Sequence, residues 1–575
     1  MTQHVPLVRA VLSEFRFRDS GRFGAKGRGP RLAGWLFVLG LCVGLPAAHA
    51  APEARDSSAT AQKYWIFLAD RPGASSDSLQ ARWNQPVSST YLDRLQALGV
   101  EPLVRSQWFH AVSARLSPAI RRTVRSLPFV RRTQPVATLH SARTGISSSA
   151  PRDQTGTIVS HQAGSSASAP PKYGAARSRL SRINALPPLN RGLSGHGVRV
   201  GFLDAHFRGL HHPAFATLRS DDRLAALRNF TENRQGGSHG MGVASVAAGY
   251  DPGTLVGPAY GATLLGATTE YTQFERNVEE DNFVAGLEWL YRRGADVVNV
   301  SIGYTTFDEG QHSYTPEDLD GDTAITTRAV DRAAQLGVTV VVSAGNSGCA
   351  SPDSCWYYVN TPADADSAIA VGGITPDSSL APFSARGPTA DGRRKPDVLV
   401  QATKVSAAWG DGRYARLQGT SFASPQVTGI VAQMLQVNPA LRPMQVRRLL
   451  RQTASQAHAP DTTRGWGIVN ADAAIRIAEW RARTTPPSAL QVSAPYRPVS
   501  SSSLVVPVAA PPHTSTLRIA LHTPLGRRVR RIKRAAHPGP NRLRVDAQSL
   551  PPGRYRVVVT TDAGDRATGR VTITE

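Results

Sequence analysis

Between residues 190 and 480, short apolar runs alternate with helical stretches. This alternation limits the fold more than any other feature of the chain. Residues 198–203 form an apolar run of the kind seen in strands buried on both faces, and the run stops at Asp204. Residues 240–248 are small and apolar, which suits a closely packed helix. Further strands are expected at 262–266, 296–302 and 338–343, with helices at 281–293, 323–336, 421–436 and 443–454. Repeated strand–helix units predict an α/β domain whose mostly parallel sheet is covered by helices on both faces, a three-layer arrangement.

A chain of 575 residues exceeds one ordinary domain. Residues 62–136 read in the order β-α-β-β-α-β, the ferredoxin-like arrangement of a small α+β unit. Residues 137–189 shift to Ser, Ala, Gly, Arg and Pro and read as a flexible linker. Residues 498–575 alternate or run β-branched around Pro551-Pro552-Gly553 and predict a β-sandwich. Residues 1–50 carry Arg9, Arg16, Arg18, Arg22, Lys26, Arg28 and Arg31 before an apolar run at 32–45 that ends in Ala48-His49-Ala50. That is the pattern of a secretory signal peptide cut after Ala50, and the run is short for a membrane span.

The formal net charge is +24. Its carriers read as scattered arginines without zinc-finger spacing, so a basic solvated surface is expected and no nucleic-acid partner. The exposed basic run from Arg527 to Arg534 offers adhesion to anionic polymers as an alternative role for the C-terminal unit. Of three cysteines, Cys42 would leave with the leader. Cys349 and Cys355 suit a disulfide closing one short loop in an oxidising compartment, with a pair of free thiols as the competing reading.

Three residues far apart in the chain bear the chemistry. Asp204 ends a strand, His239 precedes a small-residue helix, and Ser421 lies in a tight turn running into a long apolar helix. In doubly wound sheets such strand ends and helix starts meet at one edge of the sheet. There a neutral imidazole can take a serine proton while a carboxylate orients the ring. Taken singly, each has an ordinary reading: Ser421 as an N-cap, Asp204 as a turn cap, His239 as surface. Asn346 lies in a Gly-bracketed turn after an apolar strand, where its amide can donate to an oxyanion together with the Ser421 N–H.

With these residues in view, the chain resembles the subtilisin-like serine proteases (peptidase family S8) over about 190–480. The motifs are Val198-Arg-Val-Gly-Phe-Leu-Asp204, Ser238-His-Gly-Met-Gly-Val-Ala244, Ser343-Ala-Gly-Asn346 and Gly419-Thr-Ser-Phe-Ala-Ser-Pro425. Phe383-Ser-Ala-Arg-Gly-Pro388, Lys395-Pro-Asp397 and Gly465-Trp-Gly-Ile-Val-Asn470 agree with it. The resemblance implies a serine endopeptidase acting on protein or peptide substrates through an acyl-enzyme, with Asp204, His239 and Ser421 as triad and Asn346 as oxyanion donor. It also implies a primary side-chain pocket walled by Ser301, Ile302 and Gly303 on one side and by Ala344 and Gly345 on the other. The chain departs from the family at Ala205-His206, where a small residue and glycine are usual, and at Met241-Gly242, where Thr-His is usual. A weak or inactive protease scaffold serving binding or adhesion is the alternative reading.

No cofactor is required by this chemistry. The run Glu317-Asp-Leu-Asp-Gly-Asp322 offers Asp318, Asp320 and Asp322 to a structural calcium ion, or equally a capped, solvated loop. Residues 62–136 resemble the inhibitory propeptides of the family, which implies a zymogen with its own propeptide as intramolecular inhibitor. The C-terminal unit resembles type IX secretion sorting modules, which implies secretion machinery as a partner and export through the periplasm to the medium or cell surface. A monomer is expected.

Overall fold

The computed structural model describes residues 61–69, 83, 85–136, 157–158, 173–231, 237–271, 275–309, 311–353, 355–484, 488–492, 495 and 503–573. The leader at 1–50 lies outside them.

The first unit runs β1 (Gln62–Leu68), α1 (Ser89–Ala97), β2 (Val104–Ser106), β3 (Ala111–Leu116), α2 (Pro118–Arg125) and β4 (Val130–Pro135). Its sheet has the order β2-β3-β1-β4, with β1 antiparallel to both neighbours. Helix α2 starts where Ser117 accepts a bond from the Ile120 N–H at 3.3 Å and Pro118 fills a position that needs no donor. Strand β1 is buried on both faces because its two sides meet different partners. Tyr64, Ile66 and Leu68 face the unit's own core, while Trp65 and Phe67 join the core of the next domain.

That next domain carries seven parallel strands: β5 (Arg199–Asp204), β6 (Leu224–Asn229), β7 (Thr263–Thr268), β8 (Val297–Val300), β9 (Thr339–Ser343), β10 (Ile369–Ile374) and β11 (Val398–Gln401). Their order is β11-β10-β9-β8-β5-β7-β6. The chain leaves β5 for one edge and returns to lay β8 on its other side, so β5 and β8 flank the point where strand order reverses. On one face lie α3 (His239–Ala248), α6 (Ser424–Val437), α7 (Pro443–Thr453) and α8 (Ala471–Thr484), around Val200, Phe202, Val341 and Val371. The opposite face holds α4 (Val278–Arg292) and α5 (Ile325–Gln335), against Leu203, Leu265, Val298 and Val342. The sheet core is thus a parallel α/β fold of the subtilisin kind.

Two boundaries move. Residues 173–189 are part of this core and not linker: Tyr173, Ala176, Leu180, Ile183 and Leu189 are buried in it. Their apolar side chains fall at helical spacing over Arg177–Arg182 and Leu186–Asn190, which the Ser- and Arg-rich composition hid. Thr157–Ile158 also pairs with Arg413–Leu417 as an added strand. The other residues of 137–172 lie outside those described. At the C-terminal end, Gln491–Val492 already pairs with Ser503–Ala510, so the last unit starts before 498.

This last unit has two sheets sharing one core of Leu504, Val506, Leu517, Ile519, Leu521, Val557 and Val559. The larger sheet contains β12 (Thr516–His522), β13 (Arg528–Ala535), β14 (Gly553–Thr561) and β15 (Arg566–Ile573), in the order β13-β12-β14-β15. Strand β12 alternates strictly between buried and half-buried side chains, as a sheet with one wet face requires.

The first unit docks on α4 and α5. Glu288 of α4 accepts from Ser106 Oγ at 2.5 Å, from the Gln107 N–H at 3.1 Å and from the Trp108 N–H at 3.3 Å. Lys63 pairs with Asp281 in a fully buried contact, and Trp108 meets Tyr291 edge-on at 5.7 Å. Arg328 of α5 stacks over Phe109 at 5.1 Å.

Candidate active site

Strand β5 delivers Asp204 to the sheet edge, fully buried. Its Oδ1 accepts from the Ala205 N–H at 2.8 Å and lies 2.6 Å from His239 Nδ1. An ionised carboxylate only accepts, so Nδ1 carries the proton and Nε2 is left with its lone pair. Burial pulls the imidazole pKa down, but the Asp204 charge and hydrogen bond outweigh it and hold the group above its usual 6.5. The close approach depends on Gly240: a Cβ there would stand 2.7 Å from the His206 carbonyl oxygen and 3.1 Å from Asp204 Cβ.

Ser421 sits in the single 3-10 turn Thr420–Phe422 before α6. Its Oγ donates to the Ser301 carbonyl at 3.1 Å, and no hydrogen bond joins it to His239. The imidazole lies over the neighbouring Phe422, ring centroids 5.5 Å apart. Histidine and serine are therefore adjacent, with the hydroxyl parked on the β8 end, and rotation about its Cα–Cβ bond redirects it. Catalytic hydrogen bonds are often slack before substrate arrives.

Asn346 follows β9. Its Oδ1 accepts from both the Thr420 N–H (2.8 Å) and Thr420 Oγ (2.9 Å), which settles which end of the amide is oxygen. Asn346 is exposed, and a Cβ at Gly419 would lie 3.4 Å from its Nδ2. Thr420 Oγ accepts in turn from the Gly345 N–H at 3.2 Å.

A buried polar chain beneath the serine escaped the sequence reading. Ser301 Oγ donates to the Ser421 carbonyl at 2.9 Å and lies 3.0 Å from Ser424 Oγ. Asn299 Nδ2 donates to Ser301 Oγ at 2.8 Å, and Thr428 Oγ donates to Asn299 Oδ1 at 3.0 Å. One signal was present: Ser424 and Thr428 stand four residues apart, hence on one face of α6.

Ser301, Ile302 and Gly303 leave the sheet beyond β8, whose pairing ends at Val300 rather than at 302. Ala344 and Gly345 leave it beyond β9. Between the two segments sits Asn360. A Cβ on Gly303 would be 3.1 Å from Asn360 Cβ, and one on Gly345 would be 2.6 Å from its Oδ1. The Asn360 N–H donates to the Ala344 carbonyl at 2.9 Å, but its buried Oδ1 has no partner. Cys349 and Cys355 form a disulfide in the loop before it, Cα atoms 6.3 Å apart. Trp356 packs against the core, and Arg386 stacks over Tyr357.

The departures from the family pattern leave the site intact. Met241 is fully buried, its sulfur packed toward Gly209, and is therefore core rather than cleft. His206 is buried and makes no hydrogen bond to Asp204; burial lowers its pKa, partly countered by the Asp204 charge.

The possible calcium set of Asp318, Asp320 and Asp322 is not among the described groups whose ligand oxygens can meet. Asp318 accepts from the Thr315 N–H (2.8 Å) and Oγ (3.1 Å), and Asp320 from the Asp322 and Thr323 N–H groups (2.8 and 2.7 Å). These carboxylates are consumed in turn and cap bonds. Among the described residues one group of three can bring ligand oxygens within 4.8 Å of one another: Glu270, Glu275 and Glu279. A metal ion could be held there. Glu270 accepts from Tyr304, and burial pushes Glu279 up to about 8 despite bonds from the Tyr271 and Arg276 N–H groups.

Comparison with known proteins follows this geometry. The subtilase family profile matches residues 195–467. Subtilisin DY of Bacillus licheniformis is 30% identical over 287 residues, which cover 50% of this chain and 93% of that protein. Subtilisin Savinase of Lederbergia lenta is 31% identical over 303 residues, 52% of this chain and 97% of that protein. Serine protease AprX of Bacillus subtilis (strain 168) is 28% identical over 309 residues, 49% of this chain and 67% of that protein.

Proposed function

Because the chain belongs to the subtilase family and is a serine endopeptidase rather than an inactive binding protein, we propose that Asp204, His239 and Ser421 are its catalytic triad. The 2.6 Å Asp204–His239 contact beside Ser421 carries this assignment. In the first step His239 Nε2 takes the Ser421 hydroxyl proton as Oγ attacks the peptide carbonyl. Asp204 steadies the imidazolium. The oxyanion accepts from Asn346 Nδ2 and the Ser421 N–H. His239 then gives its proton to the departing amine, leaving an acyl-enzyme, and next activates the water that hydrolyses it.

Peptide side chains enter between Ser301-Ile302-Gly303 and Ala344-Gly345, and Asn360 forms the floor. A carboxamide floor with an unpaired oxygen favours a substrate side chain bearing N–H donors over a purely apolar one. Labelling with a fluorophosphonate probe tests the nucleophile: the native protein should label and hydrolyse casein, and Ser421→Ala should do neither. Labelling that persists in Ser421→Ala would overturn it.

The N-terminal unit is read as a ferredoxin-like inhibitory propeptide. Support comes from its strand order and from Glu288, which ties the β2–β3 turn to α4. The leader and the disulfide support export to an oxidising compartment. The C-terminal β-sandwich is read as a type IX sorting module on sequence resemblance alone. Protein blotting and N-terminal sequencing of the secreted product test all three: a mature form starting between 137 and 172 is expected, and an intact N-terminus on active enzyme would remove the propeptide reading.

A further inference from the structure

The +24 charge is uneven along the chain: residues 1–172 carry 22 basic and 9 acidic side chains, a net +13. Residues 173–490 carry 30 basic and 29 acidic side chains, close to neutral. Residues 491–575 carry 14 basic and 4 acidic, a net +10.

The strand register places part of this charge on one face. In β12, Leu517, Ile519 and Leu521 point into the core, so Arg518, Ala520 and His522 point away from it. Residues directly opposite on neighbouring antiparallel strands share a face. Lys533 lies opposite Arg518, which lies opposite Thr560 and, beyond it, Arg566. Arg531, Ala520, Val558 and Thr568 form the next row, and His522, Arg556 and Arg570 the one after. Arg531, Lys533, Arg556, Arg566 and Arg570 are exposed and Arg518 half-buried. No acidic side chain stands in these rows, and none of the six cations pairs with an acidic side chain among the described residues.

Arg518 directly faces Lys533 and Arg556 directly faces Arg570. Like charges placed so destabilise a sheet unless an anion lies across them. We propose that this face binds a linear anionic polysaccharide and so holds the protease on a carboxylated or sulfated polymer. Within the pairs Arg518/Lys533 and Arg556/Arg570 the cations stand on strands about 4.8 Å apart, and Arg531 and Lys533 are about 7 Å apart along one strand, separations that suit closely spaced anionic groups. The rows contain no Phe, Tyr or Trp on which bases could stack. They also present no large exposed apolar side chain to enter a bilayer; Leu525 stands alone at the β12–β13 turn.

The test uses the full chain on immobilised polygalacturonate (carboxylated) and heparin (sulfated). Retention by at least one polymer is expected, with affinity falling at least tenfold between 50 and 200 mM salt, on the order expected for several screened contacts. A variant with Arg518→Gln, Lys533→Gln, Arg556→Gln and Arg570→Gln should bind about tenfold or more weakly, with casein hydrolysis within about twofold of the parent. If that variant does not fold by thermal melt, the two pairwise variants replace it. Arg94→Gln with Arg122→Gln, exposed on the first unit, should bind as the parent. Failure of both polymers to retain the protein, retention untouched by the substitutions, or tighter binding to duplex DNA or phosphatidylglycerol vesicles would overturn the proposal.

Discussion

Thr420 gives both its backbone N–H and its hydroxyl to Asn346 Oδ1, at 2.8 and 2.9 Å. The residue before Ser421 thereby fixes the amide proposed to serve the oxyanion, and leaves Nδ2 no alternative orientation that keeps both bonds. The oxyanion donor is held before substrate arrives, so no reorganisation is required during reaction.

Asn346→Ala should lower kcat by about 100- to 1000-fold with little change in KM, because the donor acts on the transition state. Thr420→Val, which keeps the N–H and loses the hydroxyl bond, should fall between this variant and the parent. Steady-state kinetics on one peptide substrate distinguish the two. Equal activity of Asn346→Ala and parent would remove Asn346 from the mechanism.

Activity should collapse on acidification with a midpoint above 6.5. His239 must be neutral to accept the serine proton, and Asp204 holds its pKa above the usual value, so protonation begins at a higher pH than in a free imidazole. The acid limb of kcat/KM for the processed enzyme measures it. A midpoint below 6 would contradict the assignment. Asp204→Asn should reduce kcat by about four orders of magnitude, as loss of the orienting carboxylate does in serine proteases generally.

Asn360→Gly should open the space between Gly303 and Gly345 and remove the polar floor. Cleavage after large apolar residues should then gain about tenfold relative to cleavage after glutamine or lysine, the value of roughly one hydrogen bond. Profiling a peptide library with both proteins provides the ratio. Identical profiles would place Asn360 outside the pocket.

Asp397→Asn should destabilise the domain by about 3–5 kcal/mol, because it strands cations in the interior. Asp397 accepts from Arg447 Nε at 2.7 Å and lies 3.3 Å from Lys395 Nζ, both partners being buried. Burial alone would raise this carboxyl, but Arg447, Lys395 and Arg451 outweigh it and hold it well below the usual carboxylate range. Its contribution is therefore present above the unfolded carboxylate value near 3.8 and lost as pH falls through the lower folded value. Chemical denaturation of Ser421→Ala with and without Asp397→Asn at pH 7 gives the difference. A change under about 1 kcal/mol would mean the charges are compensated elsewhere.

The alternation of apolar runs and helices gave away the parallel sheet, since strands such as Val297–Val300 are buried on both faces and have no polar side to show. The site residues were legible for a related reason: strand ends and helix starts carry short motifs that need particular residues in tight turns. Boundaries were less legible. The helices at 177–190 are short and arginine-rich, and only the burial of Leu180, Ile183 and Leu189 in the shared core reveals them as structure. The acidic loop at 317–322 follows the capped reading offered beside calcium, with Asp318 and Asp320 accepting from nearby backbone N–H groups.

By itself the sequence determined the fold class, the order of Asp204, His239, Asn346 and Ser421, and the kind of reaction they suit. Only the tertiary structure decided that Thr420 holds the oxygen end of the Asn346 amide, that Asn360 sits between Gly303 and Gly345, and that arginines distant in sequence share one sheet face. The physical reason is common to all three: each depends on a pairing between residues distant in sequence, set by strand register and close approach, which no local pattern encodes.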